Sequence, residues 1–313
     1  MGATNLSKNR QLFYNKEDMN TLWGKNQEKD FFEKSLDVVA PEQLFYITKD
    51  KKYLAYWPKK YEGIKSTLQS RNGIIGSYTE KWCKDLFQNI AKKINAFAVN
   101  GVICEEIGLS PASPADVAIC KNGEINQKPE DILLIIETKM SIVWNWELKL
   151  EANKPELICI GDYRTHQGNP GLLRSDTMLK AIGKSINIRV SSFTSSKIPI
   201  IIIGNTPINS SYYKKVDHLK RNGIIQGFWS VSPNPLDNKG ENIKETEYKG
   251  FYRMDNYDEL EKNALMLLGE DREFFSSMQN KENLGKIIEI ADKEKTYELK
   301  AQRFLELLRK NAG

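Results

Sequence analysis

Asp131-Ile132-Leu133-Leu134-Ile135-Ile136-Glu137-Thr138-Lys139 is the stretch on which the reading of this chain turns. Its five successive branched apolar residues match a central strand covered on both faces, because a run of about 4–8 such residues leaves no side for water. Side chains alternate along a strand, so Glu137 and Lys139 point to one face and Thr138 to the other. A carboxylate and an ammonium group therefore stand side by side where a buried strand reaches the surface.

Upstream, Ser113-Pro114-Ala115-Asp116-Val117-Ala118-Ile119-Cys120 is a second short apolar strand, opened by Asp116 and followed by the turn signal Asn122-Gly123. The two strands form a predicted hairpin across a loop at 121–131. Residue numbers of antiparallel partners share one sum. A loop centred near residue 126 puts Asp116 opposite residues 135–137, within reach of Glu137. Asp131 competes for the same role. It lies at the far end of the strand from Glu137, about 20 Å away at roughly 3.3 Å per residue, so Asp116 is preferred.

Two carboxylates at close quarters hold protons or a cation between them. A set of oxygen ligands suits Mg²⁺, which keeps several waters and also accepts phosphate oxygens. Lys139 beside such a site would orient a nucleophile and offset charge on a scissile phosphate. Asp116 followed by Glu137-Thr138-Lys139 resembles the signature of the PD-(D/E)xK nucleases, which include many type II restriction endonucleases. The proline–aspartate part reads Pro114-Ala115-Asp116, one residue off the tight form. Gly76-Ser77-Tyr78-Thr79-Glu80-Lys81-Trp82 precedes it and opens an amphipathic helix. The family resemblance implies that a glutamate on this helix, Glu80, joins the metal site. It also implies catalysis by Asp116, Glu137 and Lys139, with Asp116, Glu137 and Glu80 as Mg²⁺ ligands. The matched order of elements covers roughly residues 74–232.

Composition sets wider bounds. The chain has 313 residues, 28% charged and 40% hydrophobic, with a net charge of +5. That is enough for a sizeable core, and its mild basic bias permits nucleic-acid binding without requiring it. The cysteines Cys83, Cys104, Cys120 and Cys159 make no CxxC pair, and His166 and His218 are the only histidines, so there is no zinc pattern. Unpaired thiols fit a reducing compartment. No apolar signal core and no run near about 18 apolar residues is present, so the expected location is the cytoplasm, away from membranes.

Other stretches carry weaker signals. Residues 1–70 read as helical and polar. Within them, Lys49 to Tyr61 interleaves cations with aromatics, which suits phosphates and bases, or alternatively a surface loop with inward-facing rings. Gly73 and Gly76 mark a break before a helix at 78–93, whose apolar stripe is Tyr78, Trp82, Leu86, Phe87 and Ile90. Glu80 beside that stripe is otherwise a first-turn acid favoured by the helix dipole. Arg71 and Asn72 are possible phosphate contacts. Glu105 and Glu106 are alternative ligands to Glu80. Trp144 and Trp146 read as packing residues.

Gly161 to Gly171 is a glycine-rich loop whose Arg164, Gln167 and Asn169 are of types that read base edges, with His166 among them as a DNA contact, a general base or a bystander; the loop's other reading is a polar connection. In the helix that follows, Arg174 and either Lys180 or Lys184 would face phosphate, as would Lys214 and Lys215 on a short basic helix. Ile200 to Ile203 and Ile224 to Val231 are further strands, giving a strand–helix–strand crossover. Ser232 to Gly240 is a breaker cluster and the predicted boundary before helices at 258–269 and 282–310.

The expected fold is therefore α/β: a restriction-endonuclease-like mixed sheet of about five strands flanked by helices, with helical N- and C-terminal additions. The expected divisions are a helical region at 1–72 for DNA contact or dimerisation, a nuclease core at 73–232 and a helical region at 233–313. The resemblance implies a Mg²⁺-dependent, site-specific endonuclease acting on double-stranded DNA. Cutting both strands of a palindrome calls for a homodimer. A repair, junction-resolving or phage-defence nuclease on the same core, or a non-catalytic nucleic-acid-binding protein, are the alternatives.

Overall fold

The computed structural model describes residues 21–150, 155–235, 242–270, 273–274 and 279–310. In chain order the elements are α1 (Lys25–Leu36), α2 (Pro41–Leu44), β1 (Tyr46–Ile47), β2 (Tyr53–Leu54), α3 (Gln69–Lys93), β3 (Phe97–Val102), β4 (Ala115–Cys120), β5 (Ile132–Thr138), β6 (Asn145–Leu150), β7 (Pro155–Gly161), α4 (Ser175–Ser191), β8 (Ile200–Gly204), α5 (Tyr213–Arg221), β9 (Gly227–Ser230), β10 (Phe251–Arg253), α6 (Tyr257–Leu268), α7 (Lys281–Ala291) and α8 (Tyr297–Lys310). Short 3-10 turns join several of them. Two compact units result, residues 1–271 and 272–313. The second contains α7 and α8.

A mixed six-stranded sheet forms the centre of the first unit, in the order β10-β9-β8-β5-β4-β3. β5, β8, β9 and β10 run parallel, and β4 and β3 continue antiparallel. The apolar runs Ile132–Ile136 and Ile200–Ile203 lie in its middle because both of their faces are covered. Alternation assigns the faces. Val117, Ile119, Leu134, Ile136, Ile201 and Ile203 pack in one core with α3 and α6. Ala118, Cys120 and Ile135 pack with Ile188 of α4, and Ile202 packs with Met178 and Ala181 of α4 and Val216 of α5.

The β4–β5 register is the one the loop length implies. Val117 pairs with Ile136, Ala118 with Ile135 and Ile119 with Leu134, and the same register carries Asp116 opposite Glu137. A bulge between Ile119 and Cys120 falls at the other end of the ladder.

Three expectations need correction. Residues 1–72 are not wholly helical among the described positions: β1 and β2 join β6 and β7 in a second, antiparallel four-stranded sheet, in the order β1-β2-β6-β7. Two-residue strands show no period-2 pattern, so only their partners reveal them. Gly73 and Gly76 do not break the chain; they lie inside α3, where a Cβ on either would meet nothing within 4 Å. Each costs the helix about 1 kcal/mol relative to alanine. The first turns are anchored by buried Arg71, which donates to the Leu44 and Ala55 carbonyls and lies 5.1 Å from the ring centres of both Tyr46 and Tyr56.

Finally, the breaker cluster after residue 232 does not end the core. β10 returns beyond it to pair with β9, Met254 N–H bonds to the Ser230 carbonyl, and Leu260, Ala264 and Leu267 of α6 join the α3 core. The region 233–313 therefore contains a strand of the main sheet.

Candidate active site

Asp116, Glu137 and Lys139 meet at the end of β5. Cross-strand neighbours share a face, so the two carboxylates project together on the α4 side of the sheet. Lys139 extends β5 by one step, its N–H bonded to the Ile203 carbonyl at 2.7 Å. Its Nζ lies 3.0 Å from Asp116 Oδ2 and 3.2 Å from Glu137 Oε2, and donates also to the Thr138 carbonyl. Asp116 Oδ2 further accepts the Thr138 N–H at 2.7 Å.

A fourth group completes the cluster. Lys184 of α4 places Nζ 2.7 Å from Glu137 Oε1 and 3.6 Å from Asp116 Oδ1, and donates to the Pro114 carbonyl. The sequence left Lys180 and Lys184 as equals. The helix periodicity separates them: Ala181, Ser185 and Ile188 form the buried face, and Lys184 lies three residues from the first and four from the last. Lys180 is 79% exposed and approaches Asp176, at 4.0 Å. Asn100 of β3 was not visible as a site residue. Its amide donates to the carbonyls of both Glu80 and Asp116, tying α3 to β4.

Glu137 is 0% exposed. Burial, and then the neighbouring Asp116 charge, push its carboxyl above the ordinary range, opposed by Lys139 and Lys184. For Lys139, burial favours the neutral amine, and the Asp116 and Glu137 charges outweigh it, so its pKa is raised. Glu80 reaches the cluster by charge alone. It sits on α3, across the sheet from α4, and its carboxyl makes no hydrogen bond or ion pair among the described residues. Burial first and the Asp116 charge second push it up to about 7. Glu105 and Glu106 are exposed in the turn after β3.

Among the described residues, no three His, Cys, Asp or Glu side chains gather as a metal cage. The donor set present nonetheless suits Mg²⁺, which is held through one or two carboxylates while keeping its waters. Asp116 and Glu137 are opposed oxygen donors, and buried Glu137 Oε1 accepts no aligned hydrogen bond, its ion pair with Lys184 aside. Glu80 would complete or orient that set.

The candidate DNA-contact residues occupy varied settings. His166 is 2% exposed, stacked on Tyr56 at 3.9 Å between ring centres, with its ring nitrogens at the Val143 and Gln167 carbonyls. Burial lowers its pKa, and no face of it is open to a base. Gln167 donates to the Pro58 carbonyl, and its N–H bonds to the Trp57 carbonyl. The glycine-rich loop and the Lys49–Tyr61 stretch, separate in sequence, are thus bonded together. Arg164 lies on the surface of that joint and pairs with Asp162; Asn169 is exposed there. Arg174 pairs with Asp176, while Lys214 and Lys215 are exposed on α5, with Lys215 Nζ 4.5 Å from the Tyr212 ring centre. Trp144 and Trp146 are buried, as packing residues should be. Arg71 is a structural anchor, with no exposed guanidinium to offer a phosphate.

No family model, no curated protein and no solved structure matches this chain. No helix among the described residues is long and apolar enough to cross a membrane.

Proposed function

We propose that the chain is a Mg²⁺-dependent, site-specific endonuclease of double-stranded DNA that hydrolyses phosphodiester bonds as PD-(D/E)xK restriction enzymes do. The observation that carries this reading is the β4–β5 register that sets Asp116 opposite Glu137, with Lys139 Nζ within 3.2 Å of both, at the end of a central buried strand. Asp116 and Glu137 would hold the ion, with Glu80 behind them. A bound Mg²⁺ would supply a more acidic water and offset negative charge on the phosphate. Lys139, kept charged by its two carboxylates, would orient the nucleophile and face the phosphate oxygens. The surface made by the 161–171 loop and the Lys49–Tyr61 stretch, with Arg164 and Asn169 exposed, would carry base and backbone contacts.

Cutting both strands in one event needs two sites, so a homodimer belongs to the proposal. The outer side of α4 favours it: Leu179, Ile186 and Val190 follow one another at helical spacing and are 61%, 41% and 65% exposed. Gly183 lies in the same stripe with open space above it. A second copy laid antiparallel across this helix would set Val190 into the gap at Gly183.

Digestion of a sequenced plasmid with Mg²⁺, beside EDTA and the Glu137→Ala and Lys139→Ala proteins, tests the activity. Discrete fragments that need Mg²⁺ and both side chains support a restriction enzyme. A smear with the same dependence keeps the chemistry and points to a repair or junction-resolving nuclease. One observation favours a second reading, a non-catalytic nucleic-acid-binding protein: Lys139 and Lys184 already compensate both carboxylates. Absence of Mg²⁺ binding that depends on Asp116 and Glu137 would select it.

A further inference from the structure

The nuclease reading gives Lys184 no role at the metal. It reaches the carboxylate pair from α4, whereas Lys139 belongs to the strand itself. The two ammonium groups divide the four carboxylate oxygens between them. Lys139 faces Asp116 Oδ2 and Glu137 Oε2, and Lys184 faces Asp116 Oδ1 and Glu137 Oε1. An ion that bridges the pair needs one oxygen from each residue, and every such edge already faces a cation. One lysine must give way.

The two are not equally free to do so. Lys139 is fixed at both ends, by its N–H on the Ile203 carbonyl and by its Nζ on the Thr138 carbonyl beside it. Lys184 Nζ also donates to a backbone carbonyl, that of Pro114, but it holds Asp116 more loosely, at 3.6 Å from Oδ1 against 3.0 Å between Lys139 and Oδ2, and its stem leaves a helix, so it can swing away without moving the sheet. It also carries the one charge that α4 adds to the site.

Building on the nuclease reading, we propose that Lys184 is a resident counter-cation: a divalent ion displaces it from the Oδ1/Oε1 edge, and the freed ammonium is passed to a DNA phosphate. Without DNA, the ion binds at the expense of Lys184's ion pairs. With DNA present, the phosphate takes the lysine over. Metal and DNA then strengthen one another's binding, and by linkage the effect is reciprocal. The empty protein keeps its buried Glu137 compensated, while ion binding without substrate is held weak.

Calorimetric titration of the full chain with Mn²⁺ in the absence of DNA tests this, on the wild type, Lys184→Gln and Asp116→Asn. Lys184→Gln is expected to bind Mn²⁺ about tenfold tighter than the wild type, and Asp116→Asn to lose binding. Equal or weaker binding by Lys184→Gln, with the Asp116 dependence intact, overturns the counter-cation and leaves the nuclease reading standing. Loss of Asp116-dependent binding in every protein, with DNA present or absent, overturns both.

A second measurement uses only the wild type, in case Lys184→Gln does not fold. Lysines are labelled with acetic anhydride and the labelled sites quantified by mass spectrometry, with exposed Lys180 as internal reference. Saturating Mn²⁺ is expected to raise labelling of Lys184 severalfold relative to Lys180. Unchanged labelling under conditions where calorimetry shows the ion bound overturns the proposal.

Discussion

Arg71→Met separates a structural anchor from a DNA contact. Arg71 is buried at the start of α3, where its guanidinium donates to the Leu44 and Ala55 carbonyls and lies over Tyr46 and Tyr56. Methionine keeps most of the stem and removes both bonds and both ring contacts. Hydrogen bonds from a charged donor are worth about 1.5–3 kcal/mol each, so the expected loss is about 3–6 kcal/mol, before any cation–π share. For a unit of this size, each kcal/mol lowers Tm by roughly 2–4 °C, which puts the shift between about 6 and 24 °C. Thermal unfolding followed by circular dichroism at neutral pH measures it. A surface arginine gripping phosphate would behave otherwise: stability would hold, and the salt dependence of DNA binding would flatten by about one phosphate contact. A Tm within about 2 °C of wild type refutes the anchor and the account of how α3 begins ahead of its two glycines.

Removing Glu137 or Lys139 as Glu137→Gln or Lys139→Met is expected to lower Mg²⁺-dependent cleavage by about a hundredfold or more while DNA binding persists, read by single-turnover digestion and gel shift. Glu80 stands at about 7, so as pH rises past 7 it loses its proton and becomes a better ligand; Mn²⁺ affinity should rise between pH 6 and 8 in the wild type, and less steeply in Glu80→Gln. Burial pushes Glu28 from 4.5 up to about 7, against hydrogen bonds from Trp146, Val143, Trp144 and Trp23. A raised carboxyl pKa means that the folded state holds the proton more tightly. The stability it contributes is therefore complete below about 4.5 and lost as pH rises to 7, on the order of 3 kcal/mol, and urea unfolding of Glu28→Gln should lack that decline. Leu179→Glu with Val190→Glu is expected to convert a dimer to monomer in sedimentation velocity; a wild type that already sediments as a monomer at micromolar concentration ends the α4 interface.

Much of the site was legible because it depends on alternation and register, which are properties of short sequence. Five apolar residues running into Glu137-Thr138-Lys139 locate a central strand, and the loop at 121–131 fixes its partner to within a residue or two. Lys184 was legible only as one of two lysines, since choosing between them needs the side of α4 that meets the sheet. The four-stranded sheet was not legible. β1 and β2 are two residues long, and their pairing with β6 is decided by chain more than 90 positions away. His166 shows the converse limit. A histidine in a glycine-rich loop looks like a contact for a ligand, and only the approach of Tyr56 and Val143 turns it into a buried strut. The proline-rich break after residue 232 misled for a similar reason, because β10 returns to the sheet only through its pairing with β9.

The distribution of the site over two faces has a consequence for how tightly it is specified. Asp116 and Glu137 project toward α4, which brings Lys184, while Glu80 arrives on α3 from the opposite face. These three elements agree only in one register of β4 against β5. A slip of one residue would turn one carboxylate to the α3 face and separate the pair. The register is held at three points: apolar residues of opposite parity buried against α3 and α4, parallel pairing of Glu137 and Thr138 with Ile202 and Ile203, and the Thr138 N–H on Asp116 itself. The bulge at Ile119 and Cys120 lies beyond these constraints, toward the 121–131 loop, so length changes in that loop can be absorbed there. Insertions at 122–126 should therefore leave the Asp116–Glu137 pairing intact, whereas one residue inserted between Val117 and Ile119 should break it.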